Sequence, residues 1–321
     1  MFIYLEFTYT VINRYSLMIE IFFIILLLNT IIYLNFNKIS KKINLYDLPD
    51  GKLKLHSKKI PILGGLILII NFLLIIFYQL FFLDQFLSFN LKQLNIFEIT
   101  SILFFIISFF ILGISDDFFN ISPVKKLFVS IVLILISISL NKNLIISMIT
   151  LSFVEKKIFF ENYGIFFTIF CITILINALN FYDGINGQAL IFFIITFSYL
   201  AILSSFKYFY ILMIIICIFI LLLNLQNKIF LGDSGIYTLG SILSLLLIYE
   251  YNFKTLRFCD EIFLLLILPG FDLLRLTCIR IVNGKNPFYG DRNHLHHLLL
   301  KKYNLIITNI ILAILVIFPI F

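Results

Sequence analysis

Long apolar stretches alternate with short polar segments along the whole chain. Within runs such as "LILIINFLLIIFYQLFFL", apolar and polar residues do not alternate, which excludes the roughly ten-residue strands of an outer-membrane barrel. A bilayer core about 30 Å thick requires roughly 20 apolar residues per spanning helix. The pattern predicts an all-α integral membrane protein with about ten transmembrane helices, near residues 18–37, 61–83, 97–115, 126–148, 159–179, 189–205, 207–225, 236–250, 259–281 and 305–321.

Composition supports this class. The chain has 321 residues, of which 62% are hydrophobic and 13% charged, and its mean hydropathy of +1.10 is far above that of a soluble domain. No internal repeat or soluble domain is evident, so residues 1–321 are expected to form a single polytopic domain. The aromatic-rich residues 1–17 precede an ordinary span, and one hypothesis is that translation begins at Met18. The four cysteines lack metal-ligand spacing and are interpreted as small apolar residues without disulfides.

The net charge of +7 would suit nucleic acid, but the positions of the basic residues argue against it. Loops between successive spans alternate between the two sides of a membrane. The odd-numbered loops hold 16 of the 24 Lys and Arg residues, and the even-numbered loops with the N-terminal arm hold 8. This bias assigns the odd-numbered loops to the cytoplasmic side of the plasma membrane and places both termini on the outer side.

Five clusters of polar and glycine residues stand out, and all five fall in odd-numbered loops. The clusters are "YDLPDGKLKLHSKKIPILGG" (46–65), "GISDDFFNISPVKKL" (113–127), "NALNFYDGING" (177–187), "FLGDSG" (230–235) and "GKNPFYGDRNHLHH" (284–297). Independent turns would rarely choose the same side five times. The sequence therefore predicts one composite site at the cytoplasmic face.

Acidic residues are the first candidates for chemistry. Asp116 and Asp117 end an apolar span, where charge is costly, and oxygen ligands of this kind suit Mg²⁺. Asp183 follows Asn180 by three residues, and Asp233 lies in a glycine-rich turn that leads into a helix, a favourable place for phosphate. Solvated helix ends and ordinary caps are the alternative interpretation of each cluster.

Histidines and basic residues supply the second set of candidates. His294, His296 and His297 lie beside Arg292, and they are interpreted as hydrogen-bond donors to phosphate because their spacing does not match a zinc motif. A functionless, solvated cluster is the alternative. In the first loop, Lys52, Lys54 and His56 are expected to contact a lipid-borne phosphate, with attraction to anionic head groups as the simpler explanation.

The order of the five clusters, from about residue 47 to residue 297, resembles the polyprenyl-phosphate N-acetylhexosamine-1-phosphate transferase superfamily (the MraY/WecA group, glycosyltransferase family 4). The resemblance implies ten transmembrane helices and transfer of a phosphosugar from a UDP-N-acetylhexosamine to undecaprenyl phosphate, with release of UMP. It also implies a requirement for Mg²⁺, for which Mn²⁺ is a conceivable substitute, a contribution to cell-envelope polysaccharide synthesis, and, as an open option, a homodimer.

The resemblance assigns roles to individual residues. Asp116 and Asp117 match the catalytic acidic pair, and Asp233 matches a catalytic metal ligand. Asn180 and Asp183 match an N-x-x-D-G motif that binds the nucleotide or supports the metal, so that Asp117, Asp183 and Asp233 form the implied metal set. The remaining implied substrate contacts are His294, His296, His297, Lys126, Lys52, Lys54, His56 and Arg292.

Two departures bear on specificity. The first cluster has Lys52, Leu53 and Lys54 where the family usually has Arg-Lys, which leaves the separate roles of the two lysines open. The last cluster, "DRNHLHH", is similar to the N-acetylglucosamine branch rather than to the muramoyl-pentapeptide branch, which remains the alternative within the enzyme class. A transporter or lipid flippase is the alternative from another class, although such proteins usually place polar residues near the bilayer midplane.

Overall fold

The computed structural model describes residues 2–49, 58–82, 96–154, 156–286 and 293–320, and in these ranges the chain is predominantly helical. The α-helices are α1 (Phe2–Leu34), α2 (Phe36–Ile43), α3 (Gly64–Phe82), α4 (Ile96–Phe119), α5 (Pro123–Leu140), α6 (Gly164–Tyr182), α7 (Gln188–Leu203), α8 (Lys207–Leu225), α9 (Gly232–Asn252), α10 (Cys259–Leu265), α11 (Ile267–Val282), α12 (Leu295–Leu300) and α13 (Leu305–Ile317). Two short antiparallel strand pairs are present in the described ranges. Strand β1 (Tyr46–Asp47) pairs with β2 (Ile60–Pro61), and β3 (Met148–Thr150) pairs with β4 (Lys157–Phe159).

The predicted class, an all-α integral membrane protein, is confirmed. Every predicted apolar segment coincides with a helix or, near residues 259–281, with the pair α10 and α11, which is bent by 74°. Among the described residues, seven helices are long and apolar enough to span a membrane, the bent pair would make an eighth, and α7 and α13 are apolar but shorter. The predicted segment 126–148 is wrong beyond Leu140, because a 3₁₀ turn and strand β3 follow α5. All four cysteines are free.

Helix α9 forms the centre of the bundle. Of its most apolar 18-residue window, 89% is buried, against 22% for the corresponding windows of α1 and α5. It packs against α3, α4 and α6, and Phe109 of α4 meets Tyr237 of α9 edge to face with ring centroids 6.4 Å apart. The hydroxyl of Thr238 donates to the carbonyl of Ser234 at 2.6 Å, which satisfies a polar group inside the core.

The first turn of α9 approaches α3 and α4 at backbone distance. A Cβ atom added to Gly113 of α4 would lie 2.5 Å from Ser234 Cα, and one added to Gly65 of α3 would lie 2.5 Å from the amide nitrogen of Gly235. The segment before α3 also runs parallel to the segment before α9, and the Gly64 N–H donates to the Phe230 carbonyl at 3.0 Å. Glycine is required in this region because any side chain would separate the three helices.

The last turn of α9 is held at the other end of the bundle. Glu250 is fully buried, and its Oε1 atom accepts hydrogen bonds from the hydroxyls of Tyr210, at 2.8 Å, and Ser204. Both donors lie at or next to the turn between α7 and α8. Helix α9 is therefore anchored by polar contacts near both of its ends.

We expect Gly113→Ala to destabilise the protein. The new methyl group would lie 2.5 to 2.7 Å from backbone atoms of Asp233 and Ser234, and overpacking of this kind costs about 1–3 kcal/mol. The gain in helix propensity of about 0.5–1 kcal/mol offsets only part of that cost. Thermal unfolding of the purified protein in detergent should show a midpoint several degrees below that of the wild type.

Gly270→Ala in α11 is the matched control, because a Cβ atom at Gly270 has no neighbour within 4 Å. Its unfolding midpoint should equal or exceed that of the wild type. Equal midpoints for Gly113→Ala and Gly270→Ala would contradict the close packing inferred for the start of α9.

Candidate active site

A cleft of about 870 Å³ opens at the end of the bundle where α4, α6 and α8 finish and α5, α7 and α9 begin. Residues from all five polar clusters line it, as the sequence predicts. Each cluster contributes at least one ionisable side chain to the lining, in chain order Asp47, Asp117, Asp183, Asp233 and His297. Segments that are far apart in sequence thus place acidic and imidazole side chains around one space.

Asp116 lies in the last turn of α4 and is almost fully buried. One carboxylate oxygen accepts a hydrogen bond of 2.6 Å from Lys126 Nζ, and the other accepts one of 2.6 Å from the Ile121 backbone N–H. Because a buried carboxylate requires compensation of its charge, this ion pair accounts for Lys126 near the start of α5. Lys126, predicted to contact phosphate, is thus paired with an acid inside the protein.

Asp117 caps the N-terminus of α9 from the neighbouring helix. Its two carboxylate oxygens accept hydrogen bonds from the backbone N–H groups of Asp233, at 2.8 Å, and Ser234, at 3.0 Å. Those N–H groups have no acceptor within their own helix, and the helix dipole favours negative charge at this position. Gly232 precedes them with a φ of +74°, and a Cβ atom there would lie 2.9 Å from an Asp117 oxygen. Asp117 thereby fixes the backbone that carries Asp233.

Asp233 lies in the first turn of α9 and is the more open carboxylate of this group. Its side chain retains 33% of its exposure, and Oδ2 is 3.8 Å from Lys126 Nζ. Lys126 therefore lies between Asp116, which it contacts directly, and Asp233, which it approaches. One cation therefore serves two carboxyl groups, which also lie within hydrogen-bonding reach of each other.

Asp183 follows the last residue of α6 and contributes a further carboxylate to the cleft. Burial, and then the negative charge of Asp117, raise the pKa of Asp183 to about 7. A carboxyl group with this pKa is ionised more readily when a cation lies beside it. Asn180, one helical turn earlier, is half-buried and does not line the cleft.

The histidine cluster is organised by Asp272, a buried residue of α11. Its carboxylate contacts His294 Nδ1 at 2.8 Å and accepts hydrogen bonds from Arg275, at 2.8 Å, and from the Leu295 N–H, at 3.1 Å. The ring of Phe181, near the end of α6, stacks on His294 with a centroid distance of 5.7 Å. Helix α12, which carries His296 and His297 and begins after His294, is thus attached to α11 and α6.

His296 is buried between the other two histidines. Its ring is stacked on His294 at 5.4 Å and lies 4.3 Å from the ring of His297. Burial, followed by the neighbouring imidazoles, lowers the pKa of His296 to about 3, so the ring is neutral at physiological pH. Within the described chain neither ring nitrogen has a hydrogen-bond partner. A Cβ atom on Gly184, which lines the cleft, would overlap His296 Nε2 at 1.8 Å, so this ring lies directly behind the cleft wall.

The donor atoms of the cleft suit a hard cation. Among the described residues, no three His, Cys, Asp or Glu side chains lie close enough to hold a metal ion by themselves. Mg²⁺ does not require three, since it commonly takes one or two carboxylates and completes its shell with water and substrate phosphate. Asp233 and Asp183 line the cleft, whereas both oxygens of Asp117 already accept backbone hydrogen bonds. Asp233 and Asp183 therefore fit Mg²⁺ better than Asp117 does.

Two residues that organise the site were missed in the sequence. Asp272 is one, and its signal was a lone acid in the apolar segment "PGFDLLRL". Asn224 is the other: its side chain accepts from the Gly187 N–H at 2.6 Å and donates to the Ile229 carbonyl at 3.0 Å, which joins the third cluster to the residue that precedes the fourth. A single asparagine near a helix end carries no comparable signal in the sequence.

Four predicted substrate contacts lie outside the described residues, so their positions relative to the cleft stay predictions. They are Lys52, Lys54, His56 and Arg292. Of the remaining predicted residues, Asp116, Asp117, Asp183, Asp233 and His297 line the cleft, and Asn180, Lys126, His294 and His296 lie outside its lining.

Comparison with known proteins gives one consistent result. The family model described as "Glycosyl transferase family 4" matches residues 99–250. An undecaprenyl-phosphate alpha-N-acetylglucosaminyl 1-phosphate transferase of Thermotoga maritima is 30% identical over 266 residues, which cover 82% of this chain and 75% of the relative. Proteins of the same name from Salmonella typhi and Escherichia coli K12 are 26% and 25% identical over 290 residues, which cover 86% of this chain and 75% of each relative. This chain therefore belongs to glycosyl transferase family 4.

Proposed function

We propose that this protein transfers N-acetylglucosamine 1-phosphate from UDP-N-acetylglucosamine to undecaprenyl phosphate and releases UMP. The observation that carries the proposal is the convergence of all five polar clusters on one cleft at the end of a hydrophobic helix bundle. The names of the relatives support the same acceptor and the same sugar. Their shared name also favours this activity over a muramoyl-pentapeptide transferase or a lipid flippase.

The position of the cleft suits the two substrates. An isoprenoid tail is presented from within the bilayer, whereas a nucleotide sugar arrives from water, so the reaction requires a site where the two phases meet. The excess of basic residues in the odd-numbered loops supports a cytoplasmic position for the cleft, at the inner face of the plasma membrane.

The proposed step is a single displacement at phosphorus. A phosphate oxygen of undecaprenyl phosphate attacks the sugar-bearing phosphorus of the donor and forms a new P–O bond. The bond from that phosphorus to the bridging oxygen breaks, and its electron pair leaves with UMP, while the bond between sugar and phosphate stays intact. The lipid phosphate is already ionised near neutral pH, so the attack does not depend on a strong general base.

The contacts of the acidic pair support this direct route over a phosphorylated aspartate. Asp116 is engaged by Lys126 and the Ile121 N–H, and Asp117 is engaged by two N–H groups of α9. A nucleophilic carboxylate would have to give up such hydrogen bonds before it attacked. We therefore assign Asp117 a positioning role, in which it orients Asp233.

Negative charge is the main obstacle to the reaction, because two phosphate-bearing substrates meet beside several carboxylates. In this proposal Asp233 and Asp183 hold Mg²⁺, which supplies charge neutralisation for the phosphate oxygens and for the leaving UMP. Lys126 offsets the charge of Asp116 and Asp233. His297 lines the cleft, and neutral His296, buried behind the cleft wall, packs against the His297 ring and holds it in position.

The proposed activity is tested by supplying purified protein with undecaprenyl phosphate and one UDP-sugar at a time. UMP should be released with UDP-N-acetylglucosamine, because the last polar cluster and the named relatives agree on this sugar. UMP release only with UDP-N-acetylmuramoyl-pentapeptide would assign the protein to the other branch. Absence of UMP with every UDP-sugar in the presence of Mg²⁺ would overturn the transferase assignment.

Asp233→Asn should reduce UMP release by at least about 100-fold, the order of loss seen when one preorganised electrostatic group is removed from an active site. The substitution keeps the shape of the side chain and removes the charge that faces the cleft. Asp260→Asn at the start of α10 is the control, because this carboxylate lies at the opposite end of the bundle, where Ser152 is its partner. Near-normal turnover by Asp233→Asn would remove Asp233 from the proposed mechanism.

His296→Gln should lower the rate without changing the shape of its pH dependence. The pKa of His296 near 3 means that the ring binds a proton only in strong acid and stays neutral above about pH 5. Its contribution is therefore constant between pH 6 and 9. Plots of log rate against pH for wild type and variant should be parallel over this range. A change in rate near pH 6–7 that only the wild type shows would contradict a neutral His296.

A further inference from the structure

A second large cavity lies at the opposite end of the bundle from the active-site cleft. Its volume is about 950 Å³, and it opens where α5 and α9 end and α10 begins. Helix α9 has 21 residues and connects the two regions, so at 1.5 Å per residue they are about 30 Å apart. No step of the proposed reaction uses this cavity.

The strand pair β3–β4 forms one wall of the cavity and is fixed to the bundle at two points. The Thr150 N–H donates to the Tyr251 hydroxyl at 2.8 Å, and the Ser152 N–H donates to Asp260 at 2.9 Å. Asn252 at the end of α9 donates to the Asn143 carbonyl at 2.8 Å, which fixes a second wall. The cavity is thus bounded by segments that are hydrogen-bonded to one another.

Four cations from three separate segments line the cavity. Lys142 follows α5, Lys157 begins β4, and Lys254 and Arg257 lie between α9 and α10. No Asp or Glu is among the described residues that line it. Three acids lie in the surrounding region. Glu98 accepts a hydrogen bond of 2.6 Å from Asn143, Asp260 is held by Ser152, and Glu261 interacts with Arg257 alone among the four cations. Half of the eight basic residues that the sequence assigns to this side of the membrane therefore meet at one cavity.

Like charges that converge on one cavity repel each other, and low-dielectric walls concentrate their field. An anion relieves this repulsion. Lysine and arginine together are the usual partners of phosphate oxygens, arginine through two parallel N–H groups. Met148, Phe253 and Phe258 add apolar surface to the same lining, so the cavity can accommodate a phosphate group that is joined to a hydrophobic portion.

We propose that this cavity binds a phosphate-bearing anion, either the head group of an anionic phospholipid or a soluble phosphate. Lys142, Lys157, Lys254 and Arg257 contact the phosphate oxygens. The site is separate from the cleft at the other end of α9, so its existence does not depend on the proposed transferase reaction.

The lipid source is tested by native mass spectrometry of the full-length protein in detergent. The protein is incubated with phosphatidylglycerol or with phosphatidylcholine of the same acyl chains, and retained lipid is counted over a concentration series. Wild type should retain phosphatidylglycerol in preference to phosphatidylcholine. Lys142→Gln combined with Lys254→Gln should weaken that retention about 25-fold, since each cation near a lipid phosphate contributes about fivefold.

Lys156→Gln combined with Lys207→Gln is the matched control, because it removes two charges assigned to the same side of the membrane that do not line the cavity. Its lipid retention should equal that of the wild type. A control that loses as much retention as the cavity variant would overturn the proposal, because general surface charge would then explain the binding. Equal thermal unfolding midpoints for the two double variants show that both are folded.

The soluble source is tested by calorimetric titration of inorganic phosphate into protein in detergent without added phospholipid. If the wild type binds phosphate saturably and the Lys142→Gln/Lys254→Gln double variant does not, the site is supported and its ligand is soluble phosphate. If the wild type prefers phosphatidylglycerol but does not bind inorganic phosphate saturably, the site is supported and its ligand is the lipid. Absence of both in the wild type would overturn the proposal.

Discussion

The architecture of the site depends on the contact between the first turn of α9 and the helices α3 and α4. Glycines remove the side chains that would separate these backbones, and Asp117 then reaches the exposed N–H groups of Asp233 and Ser234. The contact combines close packing with a charge-assisted cap. It determines where Asp233 lies relative to Asp116 and Asp117 at the floor of the cleft.

Around this contact the protein gathers more acidic side chains than basic ones. Lys126 pairs with Asp116 and approaches Asp233, while Asp183 faces Asp117 without a cation among its described contacts. Water would screen such a group poorly at the end of an apolar bundle. The folded protein therefore holds a site whose charge a divalent cation and the donors of the histidine loop would balance, which fits the chemistry of a phosphosugar transferase.

The sequence predicted the apolar helices, their class and the convergence of the five clusters, because burial in lipid requires long apolar runs and the order of loops restricts their side. It did not predict how the acids differ. Asp116 and Asp117 are adjacent, yet one forms an ion pair and the other caps a helix, and only the packing of α9 separates these roles. Asp272 and Asn224 were missed for the same reason, since their partners lie on other segments.

Among the seven unbroken helices of the described chain that could span a membrane, α9 has the deepest burial and the lowest hydropathy, 1.2 against 2.0 or more for the other six. Lipid alone would solvate it poorly, because Glu250 and several hydroxyls require protein partners. Its packing partners α3, α4 and α6 all precede it in the chain. The ribosome thus synthesises α9 after the helices that α9 packs against. Insertion of α9 into the bilayer therefore depends on packing against those helices rather than on partitioning into lipid alone.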